Sequence, residues 1–145
     1  AMSAPAFATG LQATQLVEVA QVTIDAEGNE VKTFEQADEI APGDELRYRL
    51  SYENSGEADA LDVNLVMPVP AEMNFIEGSA VTDGTKVTYS VDDGASFSER
   101  GNLRILIDGK ERIATSEEIT HIRWTFTQAI KPDQVGEVSF RGVLR

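Results

Sequence analysis

The stretch "ELRYRLSYENSGEADALDVNLVMPVP", residues 45–70, decides the fold. Its first half alternates apolar and polar residues, which is the pattern of a β-strand with one buried face. The run "NSGEAD" interrupts this pattern, and the alternation resumes at residues 61–67. Pro68 and Pro70 then end the second strand, because a proline nitrogen cannot donate a ladder hydrogen bond. We therefore predict two consecutive strands that form a β-hairpin.

The same alternation predicts which side chains face the core. The inner positions of the two strands carry Leu46, Tyr48, Leu50 and Tyr52, then Leu61, Val63, Leu65 and Met67. No segment has the spacing of an amphipathic helix, so a second sheet has to cover this apolar face. An antiparallel β-sandwich satisfies that requirement.

Further strands and turns lie on both sides of this stretch. "LVEVAQVTID" and "EVKTF" flank a turn that contains Gly28 and Asn29, which predicts a first hairpin. "ATSEEI" predicts one short helical turn with its N-cap at Thr115 or Ser116. Short strands are predicted at residues 73–76, 86–91 and 103–108, with Asp-Gly turns at residues 83–84, 93–94 and 108–109.

The C-terminal part of the chain continues the two-residue period. "ITHIRWTFTQAI" places Ile122, Trp124 and Phe126 on one face, and "EVSFRGVL" adds Val138 and Phe140 after the turn "KPDQVG". This pattern predicts a final hairpin. The fold class is therefore all-β, an antiparallel sandwich of seven to nine strands with little or no helix.

Length and charge restrict the organisation and the partners. A chain of 145 residues is the size of one domain, which we assign to residues 11–145. Its formal net charge of −13 repels nucleic acid and anionic membranes. No run reaches the ~18 apolar residues of a membrane span. The absence of cysteine excludes disulfides, thiolate zinc sites and cysteine nucleophiles.

The first ten residues, "AMSAPAFATG", are expected to be a flexible leader outside the fold. Ala6, Phe7 and Ala8 have the small-x-small pattern of a signal-peptidase site, but no charged and apolar export regions precede them. This segment can be interpreted as an expression remnant, which we favour, or as the remnant of an export signal.

The segment "PGDELRYRLSYENSGEADALDVNLVMPVPAEMNFIEGSA" resembles the bacterial and archaeal extracellular conserved-repeat domain, the eleventh catalogued domain of unknown function. The matching positions are Pro42, Gly43, Asp44, Tyr48, Tyr52, Asn54, Gly56, Ala60, Val63, Pro68, Pro70, Phe75, Gly78 and Ser79. "VTYSVDDGASF" and "THIRWTF" are similar to members with a longer second half. The resemblance implies an immunoglobulin-like sandwich in a secreted or surface-attached protein, with no established catalytic residues. This chain carries one copy of a unit that often occurs in tandem.

Few residues suggest site chemistry, and we assign no catalytic residue. His121 is the only histidine, and no nucleophile motif such as Gly-x-Ser-x-Gly occurs. Weak calcium candidates are the oxygen-bearing residues of two turns, Asp25, Glu27, Asn29, Asp92 and Asp93. Turn formation explains all five more simply. The loop with Asp25, Glu27 and Asn29 lacks the later bidentate glutamate of a calcium loop, and the adjacent side chains of Asp92 and Asp93 point to opposite faces at a strand end, where the Asp-Gly turn accounts for them. We therefore assign no cofactor, with calcium as the alternative.

The aromatic residues could form a carbohydrate-binding surface or part of the core. Exposed aromatics stack on sugar rings, whereas aromatics that alternate with polar residues usually pack in a core. We favour core packing over sugar stacking for five aromatic residues, Tyr48, Tyr52, Tyr89, Trp124 and Phe126. We expect a non-catalytic monomer that is secreted, periplasmic or on the cell surface, with a structural or adhesive role. Its partner would be a protein or a cell-surface glycan, with strand addition at a sheet edge as one route. The alternative is a carbohydrate-binding module, with or without calcium, and an enzyme ranks third.

Overall fold

The computed structural model describes residues 10–145, and in this range the chain forms ten β-strands and two 3-10 turns. The strands are β1 (Leu11–Ile24), β2 (Glu30–Gln36), β3 (Glu45–Asn54), β4 (Asn64–Pro68), β5 (Met73–Phe75), β6 (Thr85–Ser90), β7 (Arg104–Ile107), β8 (Lys110–Ile113), β9 (His121–Phe126) and β10 (Val135–Leu144). The 3-10 turns are Arg100–Asn102 and Ser116–Glu118. All strand pairs are antiparallel. The predicted all-β class is therefore confirmed.

The strands form two facing sheets and one separate ribbon. The larger sheet has the order β2-β1-β3-β10-β5, and the smaller has the order β4-β9-β6. Trp124 of β9 stacks on Phe140 of β10 with ring centroids 6.5 Å apart, and Tyr52 of β3 meets Phe126 edge to face at 5.1 Å. These contacts join the two inner faces, as expected for a sandwich. The β7–β8 ribbon, residues 104–113, pairs with neither sheet.

Most of the predicted inner positions are buried. Both sheets contribute to this core, with Leu46, Leu50, Val63, Leu65, Met67, Ile122, Trp124, Val138 and Phe140. Leu61 is the exception, because its side chain is 65% exposed. It precedes β4 in a connection where Asp62 takes a left-handed backbone with φ 53°, so the two-residue alternation does not extend back to it.

Two predicted hairpins are wrong, because each pair of consecutive strands lies in different sheets. "NSGEAD" carries the chain from β3 in the larger sheet to β4 in the smaller one, and "KPDQVG" leads from β9 in the smaller sheet to β10 in the larger one. The two crossovers lie side by side, since Ala60 and Ile130 exchange backbone hydrogen bonds of 2.8 and 2.9 Å. Alternation gives the same signal for a strand in either layer, so it did not distinguish a hairpin from a crossover.

The first hairpin is confirmed and is longer than predicted. β1 pairs with β3 from Leu11 to Val19 and with β2 from Glu18 to Ile24. Residues 20–33, the β1–β2 arm, therefore extend beyond the pairing with β3. The predicted leader lies outside the described residues except for Gly10, whose carbonyl accepts a 2.8 Å hydrogen bond from the Ser55 amide.

The predicted helical turn also forms, as the 3-10 turn Ser116–Glu118 with Thr115 at its N-cap. The Thr115 amide donates to the Glu118 carboxylate at 2.8 Å, which closes a capping box. Arg112 donates two hydrogen bonds to the same carboxylate, and these bonds lower the pKa of Glu118 to about 2. Within residues 10–145, no helix is long and apolar enough to cross a membrane.

Candidate functional site

The outer face of the larger sheet carries a network of ion pairs. Arg47 and Arg49 alternate with the core residues of β3 and therefore point outward. Glu18 on β1 accepts a 2.8 Å hydrogen bond from Arg47 Nε and a 3.2 Å bond from an Arg49 terminal nitrogen. Arg49 also contacts Glu137 on β10 at 3.3 Å. Glu18 is only 7% exposed although it lies on the outer face, because the two guanidinium groups cover it.

A second carboxylate on this face is held in the same way. Glu45 lies between Lys32 at 2.8 Å and Arg141 at 2.9 Å. Partial burial raises the pKa of Glu45, but the hydrogen bonds from the two cations outweigh this effect and leave the pKa below its usual value. The Arg47 guanidinium also stacks on Phe34, 4.3 Å from the ring centroid. The charges on this face are thus largely neutralised by neighbours from adjacent strands.

We predict that Glu18→Gln lowers the free energy of unfolding by about 1–2 kcal/mol, because two partly covered arginines lose their shared counter-charge. Urea titration followed by far-UV circular dichroism measures the change. The matched control is Glu137→Gln, since the Glu137 side chain is 49% exposed and such pairs contribute below about 1 kcal/mol. Equal losses for the two variants would contradict the assignment of Glu18 as the centre of the network.

A shallow groove of about 490 Å³ lies beside this network on the same sheet. Its volume is within the range of small-ligand sites. Its lining residues come from β1, β3 and β10 and are Gln12, Thr14, Ser51, Tyr52, Glu53, Val135, Gly136 and Glu137. The outward-facing members offer amide, hydroxyl and carboxylate groups, which are the groups that hydrogen-bond to a hydroxyl-rich ligand.

The first group of calcium candidates lies in the turn of the β1–β2 arm. Asp25 Oδ1 accepts backbone hydrogen bonds from Glu27 and Asn29, each 2.9 Å long. The Gly28 amide donates to the Asp25 carbonyl at 3.1 Å, and Gly28 has the positive φ of 86° that this tight turn requires. Asp25 therefore acts as the cap of the turn in this structure.

The second group lies between β6 and the 3-10 turn at residue 100. Asp92 Oδ1 accepts from Ser90 Oγ at 2.6 Å, and Asp92 Oδ2 accepts from Ser96 Oγ at 2.6 Å. These two hydrogen bonds, with a third from the Ser96 amide, lower the pKa of Asp92 to about 2. Asp93 follows in a left-handed conformation, φ 59°, and its amide donates to Thr120 Oγ1 at 3.1 Å. Within residues 10–145, no three acidic or histidine side chains are grouped as a metal site.

The low pKa of Asp92 predicts a specific response to acid. A carboxylate whose pKa is about 2 in the folded chain and near 3.8 when unfolded stabilises the fold above pH ~4, and this contribution disappears as the pH falls through 2. We therefore expect Asp92→Asn to be less stable than the wild type at pH 6 and to lose less stability between pH 4 and pH 2. Thermal melts at pH 6, 4 and 2 measure the difference.

Asp93→Asn is the matched control, since asparagine tolerates the left-handed backbone and the Asp93 amide hydrogen bond is retained. Parallel acid profiles for the Asp92→Asn variant and the wild type would show that the Asp92 hydrogen bonds do not stabilise the fold.

The five aromatic candidates lie in the core or pack against it. Trp124 is 0% exposed and Tyr89 is 4% exposed, whereas Tyr48, Tyr52 and Phe126 are partly buried against the core. Burial raises the pKa of each of the three tyrosines. The interpretation that these residues are core residues is confirmed, so a sugar-stacking platform would need other side chains.

His121 begins β9 and is partly buried. Its Nδ1 lies 3.1 Å from Thr120 Oγ1, and its ring is close to Gly94 of the neighbouring turn. The Gly94 amide in turn donates to Ser90 Oγ at 2.9 Å. His121 therefore packs against the base of the Asp92 turn.

Sequence reasoning missed the exposed apolar residues that two hairpins carry. The β1–β2 arm and the β7–β8 ribbon together hold six of the eleven exposed large hydrophobic residues of the described chain, namely Val22, Ile24, Val31, Leu106, Ile107 and Ile113. The run "ILIDG" could have indicated the ribbon, because three apolar residues in succession do not fit a one-faced strand.

Comparisons of this chain with protein families, with curated proteins and with solved structures find no match. The proposals below therefore rest on geometry and chemistry.

Proposed function

We propose that this chain is a non-catalytic structural or adhesive module of a secreted, periplasmic or cell-surface protein. We propose further that its sandwich is of the immunoglobulin-like type and related to the extracellular conserved-repeat domain. The observation that carries the proposal is the position of the first and last strands, because this position suits a module that bears tension.

β1 and β10 lie on either side of β3, and both run antiparallel to it. Leu11 at the start of β1 lies opposite Asn54, at one end of β3. Val143, near the end of β10, lies opposite Glu45 at the other end. A pull on the two ends of the sandwich therefore slides β1 and β10 along β3 in opposite directions. In this shear geometry, many ladder hydrogen bonds share the load and have to break together.

The outer-face ion pairs reinforce the same three strands. Glu18 of β1 bridges Arg47 and Arg49 of β3, and Glu137 of β10 contacts Arg49. These contacts cross the two strand pairs that the pull would shear. Ion pairs of this kind add little individually, but a network distributed across both strand pairs opposes sliding of either strand.

Force spectroscopy on a tandem array of copies tests this role. We expect pulling through the two chain ends to require a higher unfolding force than pulling between residue 27 and the C-terminus. In the second geometry, the two attachment points lie near the same end of the sheet. The hydrogen bonds between the strands therefore break one at a time. The chain has no cysteine, so Glu27→Cys provides a unique handle. Equal forces in the two geometries would argue against a load-bearing module.

The second candidate function is carbohydrate binding in the groove of the larger sheet. The observation that favours it is the set of hydroxyl, amide and carboxylate groups that β1, β3 and β10 present there. We expect a binding glycan, identified on a glycan array, to lose affinity when Glu53 is replaced by glutamine and to keep it in the Glu57→Gln control. Melting curves with and without millimolar calcium test whether the ion contributes. An array without saturable binding would exclude this alternative.

A further inference from the structure

The β7–β8 ribbon carries exposed apolar residues, and its strands pair with no other strand within residues 10–145. Leu106 is 66% exposed, Ile107 is 44% exposed and Ile113 is 51% exposed. An isolated two-stranded hairpin is only marginally stable in water, and a strand with a free edge is a template for a further strand. The ribbon therefore has the properties of a strand-pairing site.

The turn of the ribbon determines which backbone groups are free. Asp108 and Gly109 both have positive φ, 52° and 77°, as in a type I′ turn. Ile107 and Lys110 flank this turn and form the hydrogen-bonded pair next to it. Hydrogen-bonded and non-hydrogen-bonded pairs alternate along an antiparallel ladder, so Leu106 directs its N–H and C=O away from β8. The free edge of β7 is therefore centred on Leu106.

The sequence of β7 is complementary to itself in one antiparallel register. When two copies of β7 pair about a two-fold axis at Leu106, Ile105 of each copy lies opposite Ile107 of the other. In the same register Arg104 lies opposite Asp108, and neither residue forms a salt bridge within residues 10–145. Directly opposite residues of an antiparallel pair point to the same side of the sheet. Apolar side chains therefore meet apolar ones, and two pairs of opposite charges form.

The other edge of the ribbon and a shifted register are less favourable. Pairing two copies of β8 about Glu111 brings two glutamates together and places Lys110 opposite Arg112. Pairing about Arg112 brings two arginines together, and like charges directly opposite each other destabilise a strand pair. A β7 register shifted towards the base of the ribbon would involve Leu103, which is only 3% exposed. The register about Leu106 avoids both problems.

We propose that two copies of this chain bind each other through β7, whose free edges pair antiparallel about Leu106 and join the two ribbons into one four-stranded sheet. The partner is a second copy because this edge is complementary to itself in both hydrophobicity and charge. A two-fold contact is closed, so it produces dimers and not open chains. The proposal goes beyond the load-bearing role above, since the ribbon lies outside strands β1, β3 and β10.

The contact is small and is therefore expected to be weak. One short strand of each copy takes part, against about 20–30 residues a side in a stable interface. The net charge of −13 on each copy adds a repulsion, which salt screens over ~8 Å near 0.15 M. We expect monomers in dilute solution and dimers where many copies are held close together.

Disulfide trapping tests the contact, because the chain has no cysteine of its own. In the proposed register the two α-carbons at position 106 lie about 5.5 Å apart, within the range of a disulfide, whereas those at position 107 lie about 8 Å apart. We expect Leu106→Cys to form a disulfide-linked dimer at least ~10-fold faster than Ile107→Cys in 0.15 M salt with a mild oxidant. Non-reducing gel electrophoresis measures both rates, and equal rates would overturn the proposal.

A charge reversal tests the pairing of Arg104 with Asp108. In the Leu106→Cys chain, Arg104→Glu places carboxylates opposite each other at two positions, so cross-linking should slow by about fivefold or more. Adding Asp108→Asn should restore part of the rate, since asparagine removes the repulsion and accepts the left-handed backbone.

Lys110→Glu is the matched control for this reversal, because it changes the net charge by the same amount. Lys110 lies on β8, away from the partner strand, so we expect its replacement to slow cross-linking much less. The proposal also fails if Arg104→Glu and Lys110→Glu slow the reaction equally. Either failure would leave the force measurement on tandem copies unaffected.

Discussion

Replacement of Trp124 by alanine is expected to lower the free energy of unfolding by about 3–5 kcal/mol. Trp124 is 0% exposed and stacks on Phe140 of the opposite sheet, with ring centroids 6.5 Å apart. Its Nε1 donates a buried 2.8 Å hydrogen bond to the Ala80 carbonyl. The substitution therefore opens a cavity between the sheets and leaves that carbonyl without its donor. Since small domains are stable by only ~5–15 kcal/mol, a large part of the total is lost.

Two further variants separate the contributions to this loss. Trp124→Phe keeps most of the ring contacts but removes the indole donor, so we expect a smaller loss than for alanine. Val66→Ala on the neighbouring strand should cost less than about 1 kcal/mol, because Val66 is 40% exposed. Circular dichroism is the appropriate probe, since Trp124 is the only tryptophan. A loss below about 1 kcal/mol for Trp124→Ala would show that the stability of the sandwich does not depend on the contact between Trp124 and the opposite sheet.

The sequence predicted strands and their inner faces well, because both depend on neighbours two residues apart. The turn at Gly28 and Asn29 was identified for the same reason, since its chemistry is local. The sheet to which each strand belongs was not predictable in this way. Leu50 of β3 and Leu65 of β4 have the same alternation and are both buried, yet they belong to different sheets.

The candidate site was harder to predict, because its residues are distant in the sequence. Glu18 and Arg49 are 31 positions apart, and Arg49 and Glu137 are 88 positions apart. Their contact depends on β1 and β10 both pairing with β3, and the alternation contains no information about strand order. The extension of the first hairpin past β3 was missed for a related reason, because a strand that extends past its neighbour has the same pattern as one that is fully paired.

The second large expected effect concerns Asn54, the last residue of β3, which holds the two sheet crossovers together. Its side chain is 0% exposed. Nδ2 donates to the Ala58 carbonyl at 2.9 Å and to the Ile130 carbonyl at 2.8 Å, and Oδ1 accepts from the Gly56 amide at 3.0 Å. One buried amide thus bonds both connections at the point where the chain changes sheets. We expect Asn54→Ala to lower the free energy of unfolding by about 2–4 kcal/mol, because buried partners lose their hydrogen bonds.

Asn54→Asp makes the test specific, since aspartate has nearly the same shape but its ionised carboxylate cannot donate to the two carbonyls. A buried charge facing two carbonyl oxygens should make this variant less stable than Asn54→Ala at pH 7. Burial and the two carbonyl oxygens raise the pKa of this aspartate above its ordinary value of about 3.9, so the penalty for the charge shrinks as the pH falls towards that value, and the protonated group regains one donor. We therefore expect the difference in the free energy of unfolding between the Asn54→Asp variant and the wild type to shrink from pH 7 to pH 3, as measured by urea titration. A difference that does not change with pH would show that the amide does not bind the two crossovers through its donors.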